Sequence, residues 1–425
     1  LLMRSALRTS ILLVAALGLP AAARASFDEF SDQRARPHFE LKSEELTLAL
    51  KGELQLALHD LEGEGGPEHD SPTDTRTLGT RSPHVELDAF WLALRLGLAP
   101  GLQVNSALEI DTSRARLGSV WLDYQTRAPE RLRHHLQLGY QTPIVAIDRL
   151  TARYPLVATA FWRQPELHLA YEARLDVGEA LHLEAGASVA MMRPLDFTGV
   201  QQSPASTGTI NLLGYGPAAT FSGNAPVVGG RLKVSLHGAF AELFGFRGEL
   251  AAQGGTDVLR SGFSAYRNLP GYSSADATSG AAWWSGGRLG FAGRHLHLLA
   301  EAIASREDLL RRAGAYAQLS WRFELPGAGR WLPSVEPLAR AELYRILDSA
   351  VPSEGRALRS PSVGNAVSWD WDIATAALLA ELYRDLIWLR AEYYFIREAN
   401  GVPALGIADE PFTNDELLVQ IALRF

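Results

Sequence analysis

The sequence predicts an all-β protein, an antiparallel up-and-down β-barrel of about sixteen strands (fourteen to eighteen) built to cross a membrane. Three observations predict it. Apolar and polar residues alternate with a period of two in one segment after another, the mark of strands with one apolar and one polar face. The connectors are sorted, with very short ones after even-numbered strands and very long ones after odd-numbered strands, as turns at one rim and loops at the other require. The last segment sets Leu417, Val419, Ile421, Leu423 and Phe425 against Glu416, Gln420 and Arg424 without a break.

The chain opens with Arg4 and Arg8, an apolar run from Ile11 to Leu19, and the small-residue ending Ala21-Ala22-Ala23-Arg24-Ala25. These are the three parts of a secretory signal peptide, so residues 1–25 are expected to be removed on export. The apolar run is shorter than the roughly 20 residues a helical span needs. Residues 26–45, polar with Pro37 near the middle, are read as a periplasmic lead-in, and 46–425 as the barrel. Removing Arg4, Arg8 and Arg24 takes 40 basic residues to 37 against 48 acidic ones. Nucleic acid calls for a basic surface, so it is not expected as a partner. Cysteine is absent, which excludes disulfides and thiolate metal sites.

The first strand places Leu46, Leu48, Leu50, Leu54, Leu56 and Leu58 on one face and Thr47, Lys51, Glu53, Gln55 and His59 on the other. Charges in so apolar a segment belong on a face that sees a polar lumen. Leu92 to Leu98 repeats the device around Arg95, Leu102 to Ile110 around Asn105 and Glu109, and Val120 to Gln125 around Trp121 and Asp123. Leu136, Leu138 and Tyr140 alternate with His135, Gln137 and Gln141. Leu167 to Leu175 opposes His168, Glu172, Arg174 and Asp176; Leu181 to Val189 opposes His182, Glu184 and Ser188. Leu232, Val234 and Leu236 oppose Arg231, Lys233, Ser235 and His237.

The second half is noisier. Phe244, Phe246 and Leu250 form the apolar face against Arg247 and Glu249, and Trp283 to Phe291 is Gly-rich and ambiguous. Leu296, Leu298, Ala300 and Ala302 oppose His295, His297 and Glu301; Ala313 to Phe323 opposes Arg312, Tyr316, Gln318 and Arg322. Ala339, Ala341 and Leu343 oppose Arg340, Glu342 and Tyr344, and residues 367 to 381 give a strand with no clean faces. Leu389, Ala391, Tyr393 and Phe395 oppose Arg390, Glu392 and Tyr394, and the terminal strand is the sixteenth. The short connectors are Ala99-Pro100-Gly101, Val177 to Ala180, Gly238 to Ala241 and Tyr383 to Asp385. The long ones are 60–83, 192–230, 253–281 and 397–415. Phe90, Trp91, Tyr140, Tyr171, Trp321, Phe323, Tyr383, Tyr393 and Phe395 fall at strand ends or outward faces, where rings favour the membrane interface.

Four stretches carry a family resemblance: Leu136 to Pro143 followed by Ile144 to Leu150, Lys233 to His237 with Ala241 to Phe246, Pro337 to Tyr344, and the ending Leu417 to Phe425. Together they resemble the phosphate-selective (O/P-type) porin family, in short motifs spread along the chain. The resemblance implies a bacterial outer-membrane porin that passes small polar or anionic solutes, phosphate- or polyphosphate-like ones included, by passive diffusion. It implies no enzymatic activity and no cofactor, contact with outer-membrane lipid, and a homotrimer. It also implies an assembly signal, Leu417, Val419, Ile421, Leu423 and Phe425, read by the barrel assembly machinery. Two departures stand out. Gln141 sits where the pattern commonly has a basic residue, and Lys42, Lys51 and Lys233 are the only lysines, so arginine would have to serve in its different geometry. The alternative function is a non-conducting structural or secretion-partner barrel, occluded by loops 192–230 and 253–281.

In porins the loop after the fifth strand folds into the lumen. Here it spans 142–165, and Asp148, Arg149, Arg153 and Arg163 are expected to set the constriction, since charged rings select ions in pores. The bland reading is solvated charges on an outer loop. The pore-wall candidates are Lys51, Glu53, Arg95, Glu109, Arg174, Arg231, Lys233, Glu301, Arg340, Glu342, Arg390, Glu392 and Arg424, with cross-strand ion pairs that stiffen the wall as the competing reading. His295 and His297 share a face without a nameable third ligand, so no metal site is expected. The chain has no Walker loop, Gly-x-Ser-x-Gly elbow, His-Glu-x-x-His or dinucleotide fingerprint.

Overall fold

The computed structural model describes residues 39–42, 46–63, 84–110, 115–126, 131–147, 150–178, 180–193, 195–196, 214–215, 226–249, 281–307, 310–347, 350–351, 356–357, 370–399, 408 and 414–425. The expected signal peptide and most of the long loops lie outside them. The barrel strands are β1 (Thr47–Gly63), β2 (His84–Ala99), β3 (Leu102–Ile110), β4 (Ala115–Gln125), β5 (Leu132–Gln141), β6 (Glu166–Val177), β7 (Leu181–Met191) and β8 (Pro226–Leu236). They continue as β9 (Ala239–Glu249), β10 (Ala281–Ala292), β11 (Leu296–Glu307), β12 (Leu310–Trp321), β13 (Trp331–Leu347), β14 (Asp370–Tyr383), β15 (Ile387–Ala399) and β16 (Asn414–Arg424). Each pairs antiparallel with the next, and β16 pairs with β1, so the sheet closes without an edge. Closure satisfies every ladder hydrogen bond inside the sheet, the condition for crossing lipid with strands.

The outer face is apolar. Leu94, Val120, Leu138, Leu169, Leu232, Leu243, Leu289, Leu319, Leu378 and Ile421 are exposed there, while their sequence neighbours turn inward. Exposed leucines at this density are stable only against lipid. No described helix is long and apolar enough to cross a membrane.

β1 has two neighbours on one edge. Its residues Glu53–Gly63 pair with β16, and Thr47–Leu50 pair with the short strand Phe39–Lys42, which lies in the stretch expected as a lead-in. The rungs meet at Gly52, whose N–H and C=O both bond the backbone of Phe425. Phe425 stacks on Phe90 with centroids 6.1 Å apart, and its ring fills the space a side chain at Gly52 would need. Arg424 turns into the lumen as expected, but it is held at 2.7 Å by Glu53 rather than left to water.

Four expectations need correction. Phe244 and Phe246 are 5% and 4% exposed and face the lumen, whereas Leu243 is 69% exposed and Arg247 points outward. They face inward because Trp284 receives them there, stacked on Phe246 at 4.3 Å. Trp91 also faces inward, packed with Ala93, Ala107 and Trp121. His237 belongs to a turn rather than to a strand. It and Gly238 have φ of 49° and 84°, the positive pair that a two-residue turn between twisted strands requires. Finally, connector parity holds only for the long loops. β11 and β12 are separated by two residues although β11 is odd-numbered, because both strands extend beyond the alternation visible in sequence.

Candidate functional site

The segment after β5 enters the barrel. Val145, Val157, Ala158, Ala160 and Phe161 have no exposed surface, and Trp162 has almost none. A single π-turn spans Ala158–Trp162, closed by the bond from the Arg163 N–H to the Ala158 carbonyl at 2.7 Å. Apolar contacts seat the segment against Phe244, Trp284, Ile303, Tyr316, Tyr344, Ile373, Tyr394 and Leu418 on the wall from β9 to β16. The wall also accommodates it sterically. A Cβ at Gly314 would stand 2.7 Å from Val157, so only glycine fits there.

Backbone without regular secondary structure cannot be buried unless its polar groups find partners. Here the partners are wall ions. Carboxylates take the N–H groups: Glu392 accepts from Ala152 at 2.6 Å, Glu342 from Leu156 at 2.7 Å, and Glu301 from the Trp162 indole at 2.9 Å. Guanidinium groups take the carbonyls: Arg288 donates to Val145 at 2.8 Å, Arg193 to Phe161 at 2.7 Å, Arg312 to Ala160 at 3.4 Å and Arg340 to Arg153 at 3.4 Å. Several of these ions pair with each other as well, as Arg340–Glu342 and Arg288–Glu301 do at 2.5 and 3.0 Å. A second inward element, Gly214–Tyr215, packs on Thr159 and Ala160. The Tyr215 hydroxyl donates to Glu307 at 2.5 Å, and Arg312 lies over the Tyr215 ring. The loop 192–230 therefore does send residues into the lumen; of 253–281 only Ala281 is described.

The remaining wall charges form a lateral belt. Asp123 meets His135 at 2.9 Å, His135 meets Glu172 at 3.3 Å, and Arg231 reaches Glu172 at 2.6 Å and Glu242 at 3.5 Å. Glu242 then meets Arg288 at 3.0 Å. Arg231 crosses β7 because Gly186 lies between it and Glu172 and offers no side chain in the way.

The sequence candidates separate accordingly. Arg340, Glu342, Glu392 and Glu301 hold the inner segment. Arg174 pairs with Asp176 and Glu184, Lys233 lies 3.9 Å from Glu184 and over Phe240, and Arg390 and Arg424 converge on Glu53. Lys51 lies over Trp91, and Arg95 donates to Asn105. Glu53, Arg95, Glu109, Gln137 and Lys233 keep partial exposure, which puts the open part of the lumen along β1 to β8. Of the expected constriction residues, Asp148 and Arg149 lie outside the described residues. Arg153 is bound to Glu416 at 2.5 Å and lies over Tyr394, and Arg163 lies over Tyr154. His295 and His297 take separate partners, the Arg322 carbonyl and Glu336. Sequence reasoning missed Arg193, Arg288, Glu307 and Glu416. Arg288 was hidden by the glycines around it, and Glu307 by its place past the visible end of the alternation.

A closed sixteen-strand barrel with an apolar outer face, a charged lumen and a segment folded inward after β5 is a membrane-spanning β-barrel. Its architecture is that of bacterial outer-membrane channels. The chain is similar to the outer membrane channel DcaP of Acinetobacter baumannii, at 10% identity over 91% of this chain and 99% of that chain, with a TM-score of 0.52. It is likewise similar to Salmonella typhi OmpF, solved in complex with daunomycin, at 10% identity over 91% of this chain and 100% of that chain, with a TM-score of 0.52. No family model matches the chain, and no curated protein sequence matches it. The likeness is one of fold.

Proposed function

We propose that the protein is an outer-membrane porin through which small polar or anionic solutes diffuse passively along the β1–β8 side of the lumen. The observation that carries this reading is the inner segment, held by ions against β9 to β16 and leaving the opposite wall partly exposed. Most lumenal charges are already paired, so selectivity is expected to be weak. Phosphate preference would rest on arginine, because Gln141, at the position where the resembling family commonly has a basic residue, is buried against His168. Neutralising Arg149, Arg153 and Arg163 together is expected to shift the reversal potential in a salt gradient towards cations by at least several millivolts. Unchanged conductance and ion preference would remove these arginines from the constriction. A folded barrel that gives no ohmic steps in planar bilayers would favour the structural or secretion-partner alternative.

The C-terminal strand is proposed to act as the signal for the assembly machinery, through Leu417, Val419, Ile421, Leu423 and Phe425. Its outward apolar row and the bonds of Phe425 to Gly52 support this. Deleting Phe425 is expected to lower the amount of folded barrel in the membrane several-fold while leaving the unit conductance of the folded fraction unchanged. Equal yields of the two forms would count against the signal. A homotrimer belongs to the same proposal and would run as a heat-labile high-mass band on unboiled gels.

A further inference from the structure

On the open side of the lumen, the wall of β3 and β4 holds two buried N–H donors side by side with no acceptor. Asn105 is 1% exposed and Trp121 is 5% exposed. Among the described residues neither Asn105 Nδ2 nor Trp121 Nε1 has a hydrogen-bond partner. Both side chains turn inward, and the two residues are direct partners in the β3–β4 register. Buried polar groups are almost always paired, so two adjacent donors left open call for an acceptor that the wall itself does not supply.

The acceptors around them are taken. Asn105 Oδ1 receives Arg95 Nε at 3.2 Å. Asp123, two positions along β4, is held by His135 at 2.9 Å and reached by Gln103 at 3.3 Å. Glu53 is held by Arg424 at 2.7 Å, and Glu109, opposite Trp91 in register, has a partner of its own. Two cations stand close by, Arg95 opposite Asn105 and Lys51 over the Trp91 ring at 5.7 Å. The adjoining surface is apolar, since Trp121 packs with Ala93, Ala107 and Trp91, and Trp91 keeps partial exposure.

An indole N–H and an amide NH₂ can only donate, so the matching group is one that only accepts. A hydroxyl would still have to place its own proton. A carboxylate offers two accepting oxygens and a single charge, whereas phosphate brings more oxygens and more charge than two neutral donors can match. We propose that this patch is a subsite for the carboxylate of a small organic acid with an apolar or aromatic body. The carboxylate takes Asn105 Nδ2 and Trp121 Nε1, and the body lies against Trp91. Arg95, partly exposed and bonded to Asn105, turns aside to admit the carboxylate and supplies its counter-charge. The inference rests on the porin reading and names a solute class for it.

The test adds benzoate to the folded full chain in planar bilayers while the potassium chloride conductance is recorded. Benzoate is expected to lower the mean conductance saturably, each channel being normalised to its own unblocked value. Asn105→Asp keeps the oxygen that Arg95 uses and removes the donor; Trp121→Phe keeps a ring and removes the N–H. Together they should raise the half-blocking concentration at least about fivefold. Trp121→Phe alone changes no charge and should raise it about threefold, which separates a lost donor from general repulsion. Benzamide, the same ring without the charge, should block far less well than benzoate, and inorganic phosphate should too. An unchanged half-blocking concentration in Trp121→Phe, equal block by benzamide, or stronger block by phosphate overturns the proposal. A channel that conducts but ignores benzoate sinks this proposal alone. A folded barrel that retains benzoate in equilibrium dialysis, loses it in Trp121→Phe and gives no ohmic steps sinks the porin reading alone.

Discussion

Replacing Glu342 by alanine is expected to turn steady channel openings into flickering ones with a lower mean conductance. Glu342 accepts the Leu156 N–H of the inner segment and pairs with the buried guanidinium of Arg340. Its loss leaves the Leu156 N–H without that acceptor inside the barrel and takes from Arg340 its closest carboxylate. An orphaned buried N–H costs about 1–3 kcal/mol, which raises the population of a detached segment roughly 5- to 150-fold. Arg340 loses its nearest carboxylate at the same time and keeps only Thr151, the Arg153 carbonyl and the field of Glu392, which adds to the cost. Once detached, the segment enters the open side of the lumen along β1 to β8 and obstructs it intermittently. Glu342→Gln keeps an oxygen for the Leu156 N–H and should flicker much less. Single-channel noise is the readout, and a Glu342→Ala channel as quiet as the native one would mean that apolar packing alone holds the segment.

The largest loss of stability is expected at Glu307. Glu307 and Arg312 are both fully buried and 2.5 Å apart, and Glu307 also accepts the Tyr215 hydroxyl and Ser305. Glu307→Ala removes the carboxylate that pairs with the buried Arg312 guanidinium, at an expected cost of roughly 3–5 kcal/mol. Arg312 lies over the rings of Phe161 and Tyr215, so the loss should loosen both inward elements together. Replacing the two ions together by apolar residues, Glu307→Leu with Arg312→Met, is expected to recover most of the loss, because no charge then remains uncompensated. Denaturant midpoints read from the heat-modifiable gel shift decide the matter. A double variant as unstable as Glu307→Ala would show that the arginine acts through its ring contacts rather than its charge.

Strand number, strand order and most facings were legible in the sequence. Alternation is a local property, because successive Cβ atoms point to opposite sides of a strand whatever the rest of the chain does. It failed where both faces are apolar. On β14, Trp371, Ile373 and Leu379 turn inward while Ala374, Ala376 and Leu378 face lipid, so no contrast remains to read. On β9 and β10 the inward Phe244, Phe246 and Trp284 mimic a lipid face for the same reason. The entry of segment 142–165 into the barrel was expected from family resemblance and not from any property of those residues.

What the sequence determined by itself was the barrel, since a period of two repeated sixteen times admits few other closures. What only the tertiary structure decided was the partner of each charge. Arg153 meets Glu416 across 263 positions and Leu156 meets Glu342 across 186, distances over which no periodicity carries information. Closing the sheet brings distant strands around one lumen. The backbone of the inner segment, stripped of water there, then takes whichever ionised side chains the wall presents.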